Sequence, residues 1–233
     1  MFYTCHKQSP SCHVTKELIA NIEKYLLEKV PGKLSIDESA LREQYYIRID
    51  ERGASTMVAP ISEYVFPQFP DKTDGLVMGF SLFRPSRCEV QVRFAGDRTG
   101  SKISVAAEGP NSRAVASEIC EDIASIVAPH VNKNWFFHLG LVAELLLGTV
   151  FGVVVGLLVS LIDSGLWGSV VACLLLLAAL VVYFGAGRWI KPYSSFETAR
   201  SRALESYGGV VYGVLGGLAM SIAGSAIYDL IRH

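Results

Sequence analysis

Residues 140–160 read GLVAELLLGTVFGVVVGLLVS, and every fourth position of the stretch is Gly140, Glu144, Gly148, Gly152, Gly156 and Ser160. Positions four apart nearly eclipse on an α-helix, so these six share one face. Leu, Val and Phe fill the rest of the circumference. A helix that is apolar around most of its surface and nearly bare along one stripe lets a second backbone approach closely, which is how small residues pack helices in lipid. The pattern predicts a transmembrane helix with one carboxylate in its groove.

Charge supports that division of the chain. Up to residue 133 there are 16 basic and 17 acidic residues, a soluble balance that gives no reason to expect nucleic acid as a partner. From 134 to 187 the only charges are Glu144 and Asp163. Apolar runs at about 135–161 and 167–186 each reach the roughly 20 residues needed to cross about 30 Å of hydrocarbon. A third run, about 208–227, is poorer in Leu and Phe and repeats the small-residue face with Gly209, Gly213, Gly217, Ser221 and Ser225. It reads as a span packed on its neighbours or as a re-entrant segment.

Orientation follows from the loops. The link between the first two runs carries no Lys or Arg, whereas 187–207 carries Arg188, Lys191, Arg200 and Arg202. Positive residues stay cytoplasmic, so the N-terminal part and the long loop are expected inside, in a prokaryotic inner membrane. Phe196, Ala199, Ala203 and Leu204 suggest a short surface helix in that loop. Residues 1–17 lack the apolar core of a secretory leader. Five cysteines, an odd number, argue against a disulfide framework and fit a reducing compartment.

The first 133 residues read as a small α+β layer. Residues 1–14 contain Cys5-His6 and Cys12-His13, good zinc ligands in type, but adjacent Cys and His do not both turn inward easily, and the stretch reads as a flexible terminus. Thr15 caps a helix to about 29, with Leu18, Ile19, Ile22 and Leu26 as its apolar stripe and Pro31-Gly32 as its stop. Period-two alternation predicts strands at 45–50, 54–59, 76–84, 88–95 and 102–108, and a second helix buries Val115, Ile119, Ile123 and Val127. The expected organisation is therefore a flexible N-terminus (1–14), a cytosolic α+β domain (15–133; helix, four to five antiparallel strands, helix) and an all-α membrane domain of three transmembrane helices (134–233).

Two constellations carry the functional expectation. Glu144 either lines an intramembrane path with Gly148, Gly152, Gly156 and Ser160, or sits at the cytoplasmic boundary of a long helix. The polar sheet face gathers Arg48, Asp50, Arg87, Glu89, Arg93, Lys102 and Glu108; this is either a solvated surface of cross-strand ion pairs or a binding face on which Arg48, Arg87 and Arg93 hold an anionic small molecule or a protein. No nucleophile elbow, Walker loop, dinucleotide fingerprint or metal-spaced helix is present, so neither catalysis nor a cofactor is expected. In layout alone the chain is similar to bacterial membrane effectors and ligand-gated pores. The expectation is an oligomeric membrane effector whose sensor domain acts on an ion-conducting, lipid-embedded bundle; the alternative is a membrane-anchored scaffold that recruits a protein or lipid.

Overall fold

Alternation at period two is the rule that builds the centre of the molecule. The computed structural model describes residues 2–58, 60–64, 69–83, 87–138, 140, 145, 148–149, 152–156, 160, 187 and 191–198. Its order is β1 (Phe2–Gln8), β2 (His13–Val14), α1 (Lys16–Glu28), α2 (Val30–Leu34), α3 (Glu38–Gln44), β3 (Tyr46–Glu51), β4 (Ala54–Val58), β5 (Thr73–Leu82), β6 (Cys88–Ala95), β7 (Lys102–Glu108), α4 (Ser112–Val127) and β8 (Ser195–Phe196). Six strands form one antiparallel sheet in the order β1-β7-β6-β5-β3-β4.

One face of that sheet is the core. Ile47, Ile49, Leu76, Met78, Phe80, Val90, Val92, Phe94, Ile103 and Val105 are all buried, together with Leu18, Ile19, Ile22 and Leu26 of α1 and Ala116, Ile119 and Ile123 of α4. Thr15 Oγ1 accepts the Leu18 N–H at 3.2 Å and starts α1. Pro31 does not end the helical region; it opens α2, because the first turn of a helix needs no N–H from its proline. Lys33 of α2 clamps the helix layer with Nζ 2.6 Å from both Glu118 and Asp122 of α4, and Tyr25 of α1 donates to the same Asp122 at 2.7 Å.

The chain divides into two compact units, Met1–Trp135 with Pro192–Arg202, and Phe136–Lys191 with Ala203–His233. In the first unit, the segment after Pro192 returns as a strap. β8 pairs in parallel with β2, Tyr193 and Ser194 donate their N–H groups to the carbonyls of Gly96 and Ala95, and Phe69 donates to Glu197 O. Tyr193 and Phe196 are buried, so the strap contributes to the core of this unit.

The fold expected from sequence, an α+β domain followed by an all-α membrane domain of three transmembrane helices, is corrected here. The structure is a mixed α/β fold on a six-stranded antiparallel sheet, and among the described residues no helix is long and apolar enough to cross a membrane. The readings as an integral membrane protein, an ion channel and an inner-membrane protein are withdrawn on that finding.

The first apolar run does not open as an α-helix: residues 133–137 form a 3-10 turn, Lys133–Phe137. That turn is tied to polar partners: Trp135 N donates to Ser11 Oγ at 3.2 Å and Asn134 Nδ2 to Pro192 O at 2.9 Å. Of the expected surface helix, Phe196 lies in β8, and Ala199, Ala203 and Leu204 lie outside the described residues. Most of 139–190 and all of 199–233, including most positions of the three expected spans, lie outside the described residues.

Candidate functional site

Among the described residues the second face of the sheet carries half-buried and exposed polar side chains, and register fixes what stands beside what. One row across the strands runs Gln8, Lys102, Arg93, Val77, Arg48 and Met57; the next runs His6, Ser104, Gln91, Gly79 and Tyr46. In the second row the polar groups satisfy one another. Ser104 Oγ lies 3.0 Å from His6 Nδ1, and Gln91 Nε2 donates to Tyr46 Oη at 3.3 Å. Gly79, the register partner of both Tyr46 and Gln91, has to be glycine because a Cβ there, at φ 156°, would run into the backbone of Val90 on the next strand.

The first row is different. Lys102 and Arg93 stand directly opposite each other on β7 and β6, two exposed cations where cross-strand neighbours of like charge are destabilising. Neither forms an ion pair among the described residues. The acid influenced by Arg93 is Asp97, and its carboxylate is already committed: the hydroxyl of Thr99 holds it below the usual carboxylate range, helped by the Gly100 N–H at 2.8 Å. Gln8 Nε2 turns away to Arg98 O at 3.0 Å.

Arg48 completes the row three strand spacings from Lys102, roughly 14 Å at about 4.8 Å per spacing. Its Nε lies 2.9 Å from Asp50 Oδ1 on its own strand, close enough for an ion pair although the N–H is not aligned as a hydrogen bond. Val77, between Arg93 and Arg48, is 1 % exposed although it lies on the second face, an apolar floor between two long cationic side chains.

The expected surface of alternating cross-strand ion pairs is therefore not what the register gives. Glu89 faces Ser81 and Ala106, Asp50 faces Gly75 and Ser55, and Glu108 faces Phe2 on one side and accepts the backbone N–H of Arg87 at 3.2 Å on the other, so among the described residues none of these acids forms a cross-strand ion pair. The three candidate arginines also separate. Arg48 and Arg93 share the row, whereas Arg87 lies six residues from Arg93 along the chain, roughly 20 Å at about 3.4 Å per residue. Arg87 sits over two exposed rings instead, 5.2 Å from Phe2 and 5.9 Å from Phe83. Lys102, not Arg87, is the partner that register supplies, and the signal in the sequence was its place as the first residue of a strand following the Gly96–Gly100 turn.

The remaining candidates are placed as follows. Gly148, Gly152, Gly156 and Ser160 are helical and exposed, and a Cβ at any of the three glycines would meet nothing within 4 Å. Glu144, Gly209, Gly213, Gly217, Ser221 and Ser225 lie outside the described residues. The two Cys-His pairs diverge. His6 points to Ser104 across the second face, and Cys12 is buried, its thiol pushed up to about 12 by that burial.

His13 Nδ1 meets Ser195 Oγ at 2.9 Å, with Asn132 Nδ2 at 3.4 Å from the same oxygen. This has the outline of a base and a nucleophile. However, the N–H groups around it are spent, Ser195 N on Cys12 O and Asn132 N on Ser11 O, which leaves those donors unable to hold an oxyanion. The triad of side chains closes the β2–β8 pairing. Compared with protein-family models, with curated proteins and with solved structures, the chain matches none of them.

Proposed function

We propose that the Met1–Trp135 and Pro192–Arg202 unit is a recognition module that takes an anionic group on the second face of its sheet, between Arg93 and Lys102 with Arg48 at the flank. The observation that carries this reading is the direct register of Arg93 with Lys102 without an acid in the row to neutralise them. Two neighbouring cations on a rigid sheet are held at a cost in repulsion, and an anion placed between them reverses its sign. The apolar floor at Val77 and the Gln91–Tyr46 bridge give the neighbouring surface shape and hydrogen-bonding capacity without charge of its own. Phosphate and carboxylate groups share the chemistry this row recognises, whether on a small molecule or on an acidic segment of a partner protein.

Inorganic pyrophosphate is the probe for the first test, titrated calorimetrically into the full chain at low ionic strength. Wild type and Arg87→Gln are expected to bind alike, and Arg93→Gln/Lys102→Gln is expected to lose at least roughly tenfold in affinity, since charge-assisted contacts contribute about 1.5–3 kcal/mol each. Equal binding by the double variant overturns the assignment. A parallel titration with hexaglutamate separates the sources: tighter binding of the peptide points to a protein partner, tighter binding of pyrophosphate to a phosphorylated small molecule.

A further inference from the structure

β1 and α4 lie against each other in a way that brings two thiols together. On β1 the side chains of Tyr3, Cys5 and Lys7 alternate onto the helix-facing side, and α4 meets each of them. Arg113 stands 5.9 Å from the Tyr3 ring, and Lys7 Nζ pairs with Glu121 Oε2. Between these two contacts, Cys120 Sγ donates to the carbonyl oxygen of Cys5 at 3.8 Å, and the Cys5 thiol is near enough to push the Cys120 pKa further up. All four described cysteines are free. Cys12 and Cys88 are buried apart, Cys12 against Ser194.

The two thiols also differ in access. Cys5 is half-buried on an edge strand and reachable from solvent, whereas Cys120 is 1 % exposed under the strand. That asymmetry suits an attacking and a resolving thiol. From this geometry we infer that Cys5 and Cys120 are a redox-modifiable pair, which a low-molecular-weight disulfide converts to a reversible staple between β1 and α4.

The exchange proceeds in two displacements. The Cys5 thiol gives its proton to solvent and its sulfur attacks one sulfur of the small disulfide, forming a mixed disulfide and expelling one thiolate, which takes a proton. Cys120 then loses its proton and attacks the Cys5 sulfur; the Cys5–Cys120 bond forms, the bond to the small thiol breaks, and a second thiol leaves. Two electrons pass from the cysteine pair to the small disulfide, which becomes two thiols. Burial holds the Cys120 thiol up at about 12, so closure is slow and the pair rests reduced until Cys5 has been loaded. The inference stands independently of the anion site on the opposite face.

The test is treatment of the full chain with oxidised glutathione, alkylation of the remaining thiols and peptide mass mapping. Wild type is expected to yield a Cys5–Cys120 linked peptide, reversed by dithiothreitol, and a Tm higher by at least roughly 5 °C, because the bond closes a loop of 115 residues. Cys120→Ala, a small buried replacement that keeps the fold, is expected to trap glutathione on Cys5; Cys5→Ser is expected to leave Cys120 unmodified. Glutathione persisting on Cys5 in wild type with Cys120 still alkylatable, or no modification of Cys5, overturns the pair.

Discussion

Lys102 is the residue whose energetics and proposed role pull in opposite directions. Facing Arg93 across the ladder, it weakens the fold, and the pair is kept although a glutamine would serve the strand as well. Lys102→Gln is therefore expected to raise stability by about 0.2–1 kcal/mol in urea unfolding at low salt, an effect that fades above ~0.15 M as screening shortens the reach of both charges. A loss of stability would mean that Lys102 has a structural partner. Glu23 is the converse case, a carboxylate inside the fold at 6 % exposure, whose Oε2 accepts the Ile61 N–H at 2.9 Å. Burial raises its folded pKa, so its contribution is fully present below the unfolded value near 4.3 and is lost as pH rises through the folded one. Glu23→Gln keeps the acceptor without the charge and is expected to match or exceed wild-type stability at pH 7 and to flatten the dependence above the unfolded value. Glu23→Leu orphans the Ile61 N–H and is expected to cost about 1–3 kcal/mol. Residue-level faces were legible where period two was clean: Cys88, Val90, Val92 and Phe94 turn to the core as their spacing requires. The Arg93–Lys102 conflict was not, because it depends on register, which alternation alone leaves free.

Among elements, the strap is the one that local pattern could not reveal. His13 and Ser195 are 182 positions apart, and a parallel two-residue ladder leaves almost no period to read. Its anchor is Phe196, 5 % exposed and edge-on to Phe69 at 6.1 Å between centroids. Phe196→Ala is expected to destabilise the first unit by about 3–5 kcal/mol, measured by urea unfolding with tyrosine and tryptophan fluorescence; a change below ~1 kcal/mol would mean the strap docks without carrying load. β1 was legible in principle. Its alternation of Phe2, Thr4, His6 and Gln8 against Tyr3, Cys5 and Lys7 is a strand signal, masked by the attention that adjacent Cys and His attract as metal ligands. The clamp between the helices has a pH signature. Lys33 lowers the pKa of Asp122 through its ion pair, so that contribution is present above the unfolded carboxylate value near 3.9 and disappears as pH falls through the lowered folded one. Lys33→Met is expected to remove about 1 kcal/mol at pH 7 and nothing near pH 2, read from thermal unfolding across that range.

For the molecule as a whole, hydropathy misled where it is usually strongest. The run at 135–161 satisfies the length rule for a span, yet it opens in a 3-10 turn where Trp135 is 57 % exposed and its N–H donates to Ser11 Oγ, and among the described residues no helix is long and apolar enough to cross a membrane. The run at 167–186 lies outside the described residues. What organises the described chain is the sheet, with a helix layer on one face, a strap returning beside the exit point at Asn134, and a second face on which Arg48 pairs with Asp50 while Arg93 and Lys102 stand opposite each other. The proposed anion site occupies one end of this face only. The most direct measurement is a titration of the full chain with pyrophosphate, followed by the side-chain Nε–Hε resonances of its arginines in an NMR spectrum. Saturable shifts at Arg93 and Arg48, with Arg87 and Arg52 unmoved, are expected if the row holds the anion. Shifts spread evenly over all exposed arginines, or confined to Arg87, would contradict that assignment.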